Sequence, residues 1–540
     1  MKLAEQIYIN GNIYTVNEEF PHAEAMACCD GKLLFVGSND QALEYKGENT
    51  VVIDLEGKTV IPGILDNHVH PLTAGSMYYR VDCVGKSREE ILAAVAEEAK
   101  KRKPGEWILG FGWDQSTWDD TTLPTRQELD AAAPDNYVRL IRICGHANWV
   151  SSNVLELAGV NKDTPNPAGG EFLRDENGDP TGFITEYACL AIENVVPDPS
   201  VDELRRYILT VQDRTLEYGI TGMADKSIGS MIVGGVPQID ETIQIFRELG
   251  EADMLKLRYH IYMGTYDELE RTYKDGWKEP DFDGKFIFCG TKVFSDGALG
   301  ARSAWLLDSY EDRPGHTGEG NYSTEYMAMR IKQAHDAGYQ VSVHAIGDAA
   351  VRQCLDAYEM ANPNMEDWRF VVEHLMIVSP EDMERLKHMN LIASMQYVEL
   401  STDLKMVESR IGKERALGAY AWRDIMNAGI VIAAGTDHPM DSMNPYENMY
   451  YAVSRCTIDD YPAGGWHPSQ ALTRYEALKT YTLNSAYAVR REKELGSLEA
   501  GKYADFAVID KDYMNCEVKE IKNIKVLMTV VGGKIVYKAE

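Results

Sequence analysis

Positive charge is scarce in this chain. Against 85 aspartates and glutamates it sets 54 lysines and arginines, a net charge of −31 over 540 residues. Such a surface is repelled by phosphate backbones and by anionic lipid. The nearest approach to a basic patch, AEEAKKRKP around Lys100 to Lys103, reads as a solvated helix end. Neither nucleic acid nor a membrane is therefore expected as a partner. Useful cysteine pairs are lacking too: the nine cysteines include no CxxC, and the adjacent Cys28 and Cys29 suit neither a normal disulfide nor a zinc knuckle. Cys144 and Cys289 sit in apolar runs, where a reduced, buried thiol is the default. No apolar run approaches the ~20 residues of a membrane span. The N-terminus MKLAEQIYINGNIYTV alternates like a strand and has no signal-peptide core. A cytoplasmic location is expected. A GxSxG elbow is missing, which argues against a serine hydrolase, and no GxGxxG follows the first strand of the α/β region, which argues against a dinucleotide fold.

What is present is organised in three parts. QIYINGNIYTV carries an Asn-Gly hairpin signal, AMACCDGKLLFVGS a second at Asp30-Gly31, and KVLMTVVGGKIVYKA a Gly-Gly turn at 532 and 533. Neither end is long enough to bury a core alone, so 1–58 and 489–540 are expected to meet in one composite β-sandwich. Between them, apolar strand candidates at 59–65, 219–224, 256–263, 286–294, 340–344, 369–374, 391–396 and 431–436 alternate with amphipathic stretches such as STEYMAMRIKQAHDAG and SPEDMERLKHMN. That α/β rhythm predicts a (β/α)8 TIM barrel over 59–75 and 205–488. Residues 76–204, rich in Trp, Asp, Asn and Pro, break the rhythm and are too long for a structureless connection. They are expected to be a folded insertion after barrel strand 1, roofing the active site and setting substrate selectivity.

Polar residues at strand ends carry the chemistry. His68 and His70 in PGILDNHVH are two apart on an extended segment, so both imidazoles point to one side and can reach one ion. An HxH pair alone is weakly specific, but the strand before it is apolar, and Asp66 is a ready partner for a ligand imidazole. His344 in VSVHAIGD and His374 in FVVEH stand one strand–helix repeat apart, which places them on neighbouring barrel strands. Asp437 follows the buried run IAAG and reaches the same rim. Lys292 lies inside the otherwise apolar FIFCGTKVF, where burial demands a partner or a lowered pKa. A salt bridge to Asp296 or Asp225 would supply the first. A neutral amine that takes up CO2 would instead become a carbamate, a carboxylate able to bridge two cations.

With IPGILDNHVHP, KVFSDGALGARSAWL, VHAIGD, EHL and GTDHP in this order, the chain resembles the amidohydrolase superfamily. More narrowly it is similar to the YtcJ-like branch, which contains N-substituted formamide deformylases. GWDQSTWDDTTLPTRQELDAAAP, GHANWVSSNVLELAG and LGSLEAGKYADFAVID extend the likeness over nearly the whole chain. The resemblance implies a barrel beside a sandwich built from both ends. It implies that His68, His70 and Asp437 bind one metal, that His344 and His374 bind a second, and that carbamylated Lys292 bridges them. A homodimer is likewise implied only by resemblance.

The expected reaction is cleavage of a C–N amide bond in a small N-acyl or N-formyl compound by a metal-bound hydroxide. Asp437 is the expected general base and then acid, and His146 in CGHANW a further catalytic candidate that grips substrate or the oxyanion. Imidazole and carboxylate ligands favour zinc, as one or two ions, although manganese, iron, cobalt or nickel suit the same donors. Trp113 and Asp114 in the insertion, Arg302 beyond the Lys292 strand, and Gln396 with Tyr397 are substrate-contact candidates. The alternative reaction is metal-dependent deamination of a heterocycle, whose enzymes resemble one-metal sites without the strand lysine.

Overall fold

Glycine and proline decide where the barrel begins. In the computed structural model, which describes residues 2–167, 169–228, 239–264, 280–361 and 369–540, the first expected barrel strand is divided. Thr59–Pro62 pairs with Asn12–Tyr14 and Phe506–Ile509 in a separate sheet. The barrel strand β1 (Ile64–Val69) starts only after Gly63, where a Cβ would stand 2.2 Å from Thr221 Oγ1.

Seven parallel strands follow β1: β2 (Ile220–Ile228), β3 (Arg258–Met263), β4 (Phe286–Phe294), β5 (Gln340–Ala345), β6 (Phe370–His374), β7 (Leu391–Met395) and β8 (Val431–Ala434). Strands such as FVVEH and LIASM are buried at every position, as strands covered on both faces must be. The seam between β8 and β1 is closed from both backbones: Asp437 N donates to His68 O at 2.7 Å and His70 N to His438 O at 2.9 Å. The carboxylate of Asp66 completes it, accepting from Thr436 N at 2.9 Å and Thr436 Oγ1 at 2.6 Å. Outer helices start where capping residues stand. The Ser323 side chain accepts from Tyr326 N ahead of Thr324–Asp336, and Ser379 precedes Pro380 at the first turn of Pro380–Leu386.

Two further sheets come from the chain ends. One is four-stranded and wholly N-terminal; the other has six strands and draws on both ends. Tyr8, Met26 and Leu33 of the first share a core with Val60, Phe506, Val508 and Val530 of the second. Asp30-Gly31 and Gly532-Gly533 both take positive φ at both positions, and each joins an antiparallel pair, as expected. Asn10-Gly11 does not make a hairpin: Ala4–Ile9 and Asn12–Tyr14 lie in different sheets, and the turn carries the chain from one to the other.

All of these elements belong to one compact unit, made of 2–70, 212–228 and described residues from 246 onward. The second unit contains 71–211 and, of the described residues beyond them, 239–245. It has its own six-stranded sheet, running from Val81–Asp82 to Gly170–Arg174, and its own core around Trp113, Trp118, Trp149 and Phe183. Cys144 in this unit is exposed, not buried as its neighbours suggested, because the strand Tyr137–Arg142 ends before it and the chain turns at Gly145. Cys289 is only half-buried. Among the described residues no helix is long and apolar enough to cross a membrane.

Candidate metal centre

The barrel geometry collects the polar strand-end residues at one rim. His68 is on β1 and His70 one residue past it; Lys292 is near the end of β4, His344 is on β5, and His374 closes β6. Asp437 follows β8. The His68 and His374 ring centres are 5.2 Å apart, those of His344 and His374 4.5 Å, and those of His68 and His70 5.3 Å. Asp437 Oδ1 lies 3.0 Å from His70 Nε2 and 3.5 Å from His68 Nε2, and Lys292 Nζ is 3.5 Å from the same His68 nitrogen. The backbone is held in uncommon conformations to do this. His374 and Asp437 take φ of 68° and 55°, in the left-handed region that β-strand residues avoid. Gly435 is required by contact: a Cβ there would sit 2.4 Å from His68 N.

Burial and neighbouring charge set the protonation states. Burial and the Lys292 ammonium push the His68 imidazole down to about 3, and burial with His374 and Lys292 lowers His344 well below its usual value. Both are therefore neutral and carry lone pairs. Burial would raise the Asp437 carboxyl, but His68, His70 and His374 hold it well below the carboxylate range, so it is ionised. Burial lowers the Lys292 amine to about 8 against the pull of Glu373 and Asp437. No carboxylate pairs with Lys292 among the described residues: Asp296, one expected partner, accepts instead from the backbone of Trp305, Ile346 and Gly347. A cavity of about 80 Å³ opens beside Lys292, lined by Phe294, Tyr322, Tyr326 and Arg330 among others.

These donors fit a divalent metal. Ligand atoms of His68, His70 and Asp437 lie within 4.8 Å of one another, as do those of His374, Glu399 and Asp437. Asp437 Oδ1 is buried, faces two imidazole nitrogens and receives no hydrogen bond of good geometry. Imidazoles, with His68 neutral among them, around an ionised carboxylate oxygen form a donor set suited to a cation.

Several residues around this set did not stand out in the sequence. Asp66 spends its carboxylate on Thr436 and on the backbone of His68, so it does not face an imidazole as expected. Glu373 does so in its place, with Oε2 2.6 Å from His68 Nδ1, and Glu399 Oε1 stands 2.7 Å from His374 Nδ1. Glu373 had one visible signal, a carboxylate inside the apolar run FVVEH; Glu399 lies beyond β7, where nothing in the sequence ties it to His374.

The remaining candidates have local partners. Gln396 is buried beside the centre, its carboxamide 3.1 Å from His68 Nδ1, whereas Tyr397 packs on Trp422 and reaches Thr480. Arg302 makes a two-pronged contact with Asp312. In the second unit, Trp113 is fully buried among Trp118, Trp149 and Phe183, with its indole N–H donating to Leu140 O. Asp114 accepts from Ser116 N and pairs with Arg142, and the exposed His146 stands 3.0 Å from Glu186.

Comparison with known proteins points to a family. The profile of the amidohydrolase family matches residues 51–537. YtcJ of Bacillus subtilis is 30% identical over 98% of this chain and 99% of its own. An N-substituted formamide deformylase of Arthrobacter pascens is 28% identical over 99% of both chains. The crystal structure of an uncharacterized metal-dependent hydrolase from Pyrococcus furiosus has a TM-score of 0.78 and 29% identity, and covers 94% of this chain and 100% of that one. With eight parallel strands in barrel order and a buried set of imidazole and carboxylate donors at one rim, this chain belongs to the amidohydrolase family of metal-dependent enzymes.

Proposed function

We propose that the chain hydrolyses the C–N amide bond of a small N-acyl or N-formyl compound. The observation that carries this reading is Lys292: a buried amine with a depressed pKa, unpaired with any described carboxylate, beside four histidines and an ionised aspartate. A neutral amine there can add CO2 and, by releasing one N–H proton to solvent, become a carbamate, the carboxylate that a two-metal site would need. In this reading His68, His70 and Asp437 would hold one ion, His344 and His374 would hold another, and Lys292, as its carbamate, would be a further ligand. Zinc suits the donors. When bound, the metal supplies Lewis acidity to the carbonyl and to water.

The protein's own groups then move the proton. Water adds to the carbonyl carbon while the Asp437 carboxylate takes one of its protons. The C–N bond breaks, the nitrogen leaves with the proton returned by Asp437 while the second water proton stays on the acyl oxygen, and the products are a carboxylic acid and an amine, which exchange that proton in water to a carboxylate and an ammonium. The place of Asp437 at the rim, beside His68 and His70, supports its role as the proton carrier. The deformylase relative supports N-formyl compounds as the first substrates to try.

The test is metal content per chain on protein prepared with bicarbonate, for wild type and Lys292→Ala, together with turnover of N-formyl and N-acyl amines. Near two metals falling to one or none in the variant, with amine release by the wild type, is the expected result. One metal in both proteins would remove Lys292 from the site and move heterocycle deamination to the front.

A further inference from the structure

Two buried charges stand just outside the ligand set and have no part in the reaction as derived. Glu373 precedes His374 on β6, and its fully buried carboxylate meets three groups. Oε2 is 2.6 Å from His68 Nδ1, Oε1 is 3.1 Å from Lys226 Nζ, and Oε1 also accepts from Ser342 Oγ. Lys226, on β2, is equally buried, and its ammonium lies 3.6 Å from the centre of the Tyr262 ring. Burying either charge alone is strongly unfavourable, yet a buried pair is seldom more stable than hydrocarbon of the same volume. A carboxylate offers one thing hydrocarbon does not: a fixed acceptor for an imidazole N–H. With its proton on Nδ1, His68 turns the lone pair of Nε2 toward Asp437 and Lys292, the side on which the metal donors gather.

We propose that Lys226 and Glu373 are positioning residues, Lys226 holding Glu373 in place, and Glu373 fixing the tautomer and direction of His68 as a metal ligand. The inference rests on the reading of His68 as a ligand. It gives the two buried lysines different tasks. Lys226 stands against Glu373 at 3.1 Å, whereas Lys292 has no carboxylate partner among the described residues and is left for CO2.

The test is zinc affinity by competition with a chelator, and the visible spectrum of the cobalt-substituted enzyme, for Glu373→Gln, Lys226→Met and the double variant. Each variant is expected to bind zinc about 10- to 100-fold more weakly and to shift the cobalt spectrum. The double variant, which buries no charge at these positions, is expected to keep the apo-protein's melting temperature near that of wild type while still binding weakly. Zinc affinity within twofold of wild type in Glu373→Gln and the double variant would overturn the proposal, whatever happens to stability. Histidine nitrogen NMR of the zinc-loaded wild type needs no variant to fold: a proton on His68 Nδ1 supports the relay, and one on Nε2 overturns it. His68→Ala separates the two levels. If it too leaves zinc affinity unchanged, the ligand assignment fails; if it abolishes binding while Glu373→Gln changes nothing, only the relay fails.

Discussion

Asp505→Ala should strongly destabilise the barrel unit, because it breaks a buried ion pair. Asp505 precedes the strand Phe506–Ile509, and Arg258 opens β3. Arg258 Nε donates to Oδ2 at 2.6 Å and Nη2 to Oδ1 at 2.9 Å, with the two side chains 1% and 6% exposed. Oδ1 also accepts from Gly532 N at 2.7 Å, and the guanidinium stacks 3.8 Å from the Tyr503 ring centre. Removing the carboxylate leaves a buried guanidinium with only the Asp283 carbonyl at 2.8 Å among these polar contacts. Breaking one side of a buried pair costs about 3–5 kcal/mol, of which about 1 kcal/mol is the unmet Gly532 amide. Asp505→Asn keeps an acceptor and the shape, and should recover part of that loss. Equilibrium urea unfolding followed by far-UV circular dichroism and tryptophan fluorescence reads the change. A variant within about 0.5 kcal/mol of wild type would show that the pair is solvated or easily replaced, and would refute the reasoning.

Three other outcomes follow from particular contacts. Gly435→Ala should lower bound metal per chain by at least tenfold while circular dichroism keeps the barrel signature, because the new methyl meets the His68 backbone; overpacking should also cost about 1–3 kcal/mol. Trp113→Ala should destabilise the second unit by about 3–5 kcal/mol, measured as loss of amide-exchange protection confined to 71–211. The Arg423 hydrogen bond holds the Glu476 carboxyl down at about 2 from 4.5, although burial opposes it. A depressed carboxyl stabilises the fold above pH 4.5 and loses that contribution as pH falls toward 2. Glu476→Gln should therefore cost about 1 kcal/mol near pH 7, after solvent screening, and nothing measurable at pH 2 in urea titrations.

The barrel was legible in the sequence because parallel strands buried on both faces read as apolar runs, and because His344, His374 and Asp437 each follow or close one. The beginning of β1 was not, since TVIP and ILDNHV form one apolar stretch and only the approach of Thr221 to Gly63 divides them. Asn10-Gly11 misleads for a related reason: a turn signal fixes local dihedrals but does not say which sheet receives the next strand. Asp66 misleads as well, because its partner, Thr436, is distant in sequence. Glu373 and Lys226 are visible as charges in apolar strands, yet their pairing follows only from the barrel placing β2 and β6 side chains inward.

The β1–β8 seam fixes when the site can exist during synthesis. Asp66 and Thr436 are 370 residues apart, and the bonds between them are among those that bring Asp437 to His68. A nascent chain released at residue 430 would already contain His68, His70, Lys292, His344 and His374. It would lack the last strand and the only one of the six candidate ligands that is an aspartate. Long-range closure comes late in folding because chain entropy opposes it until the final partner arrives. The imidazoles are thus kept from forming the complete centre until the ribosome has made almost the whole barrel, so a truncated product that keeps these histidines does not thereby acquire the activity.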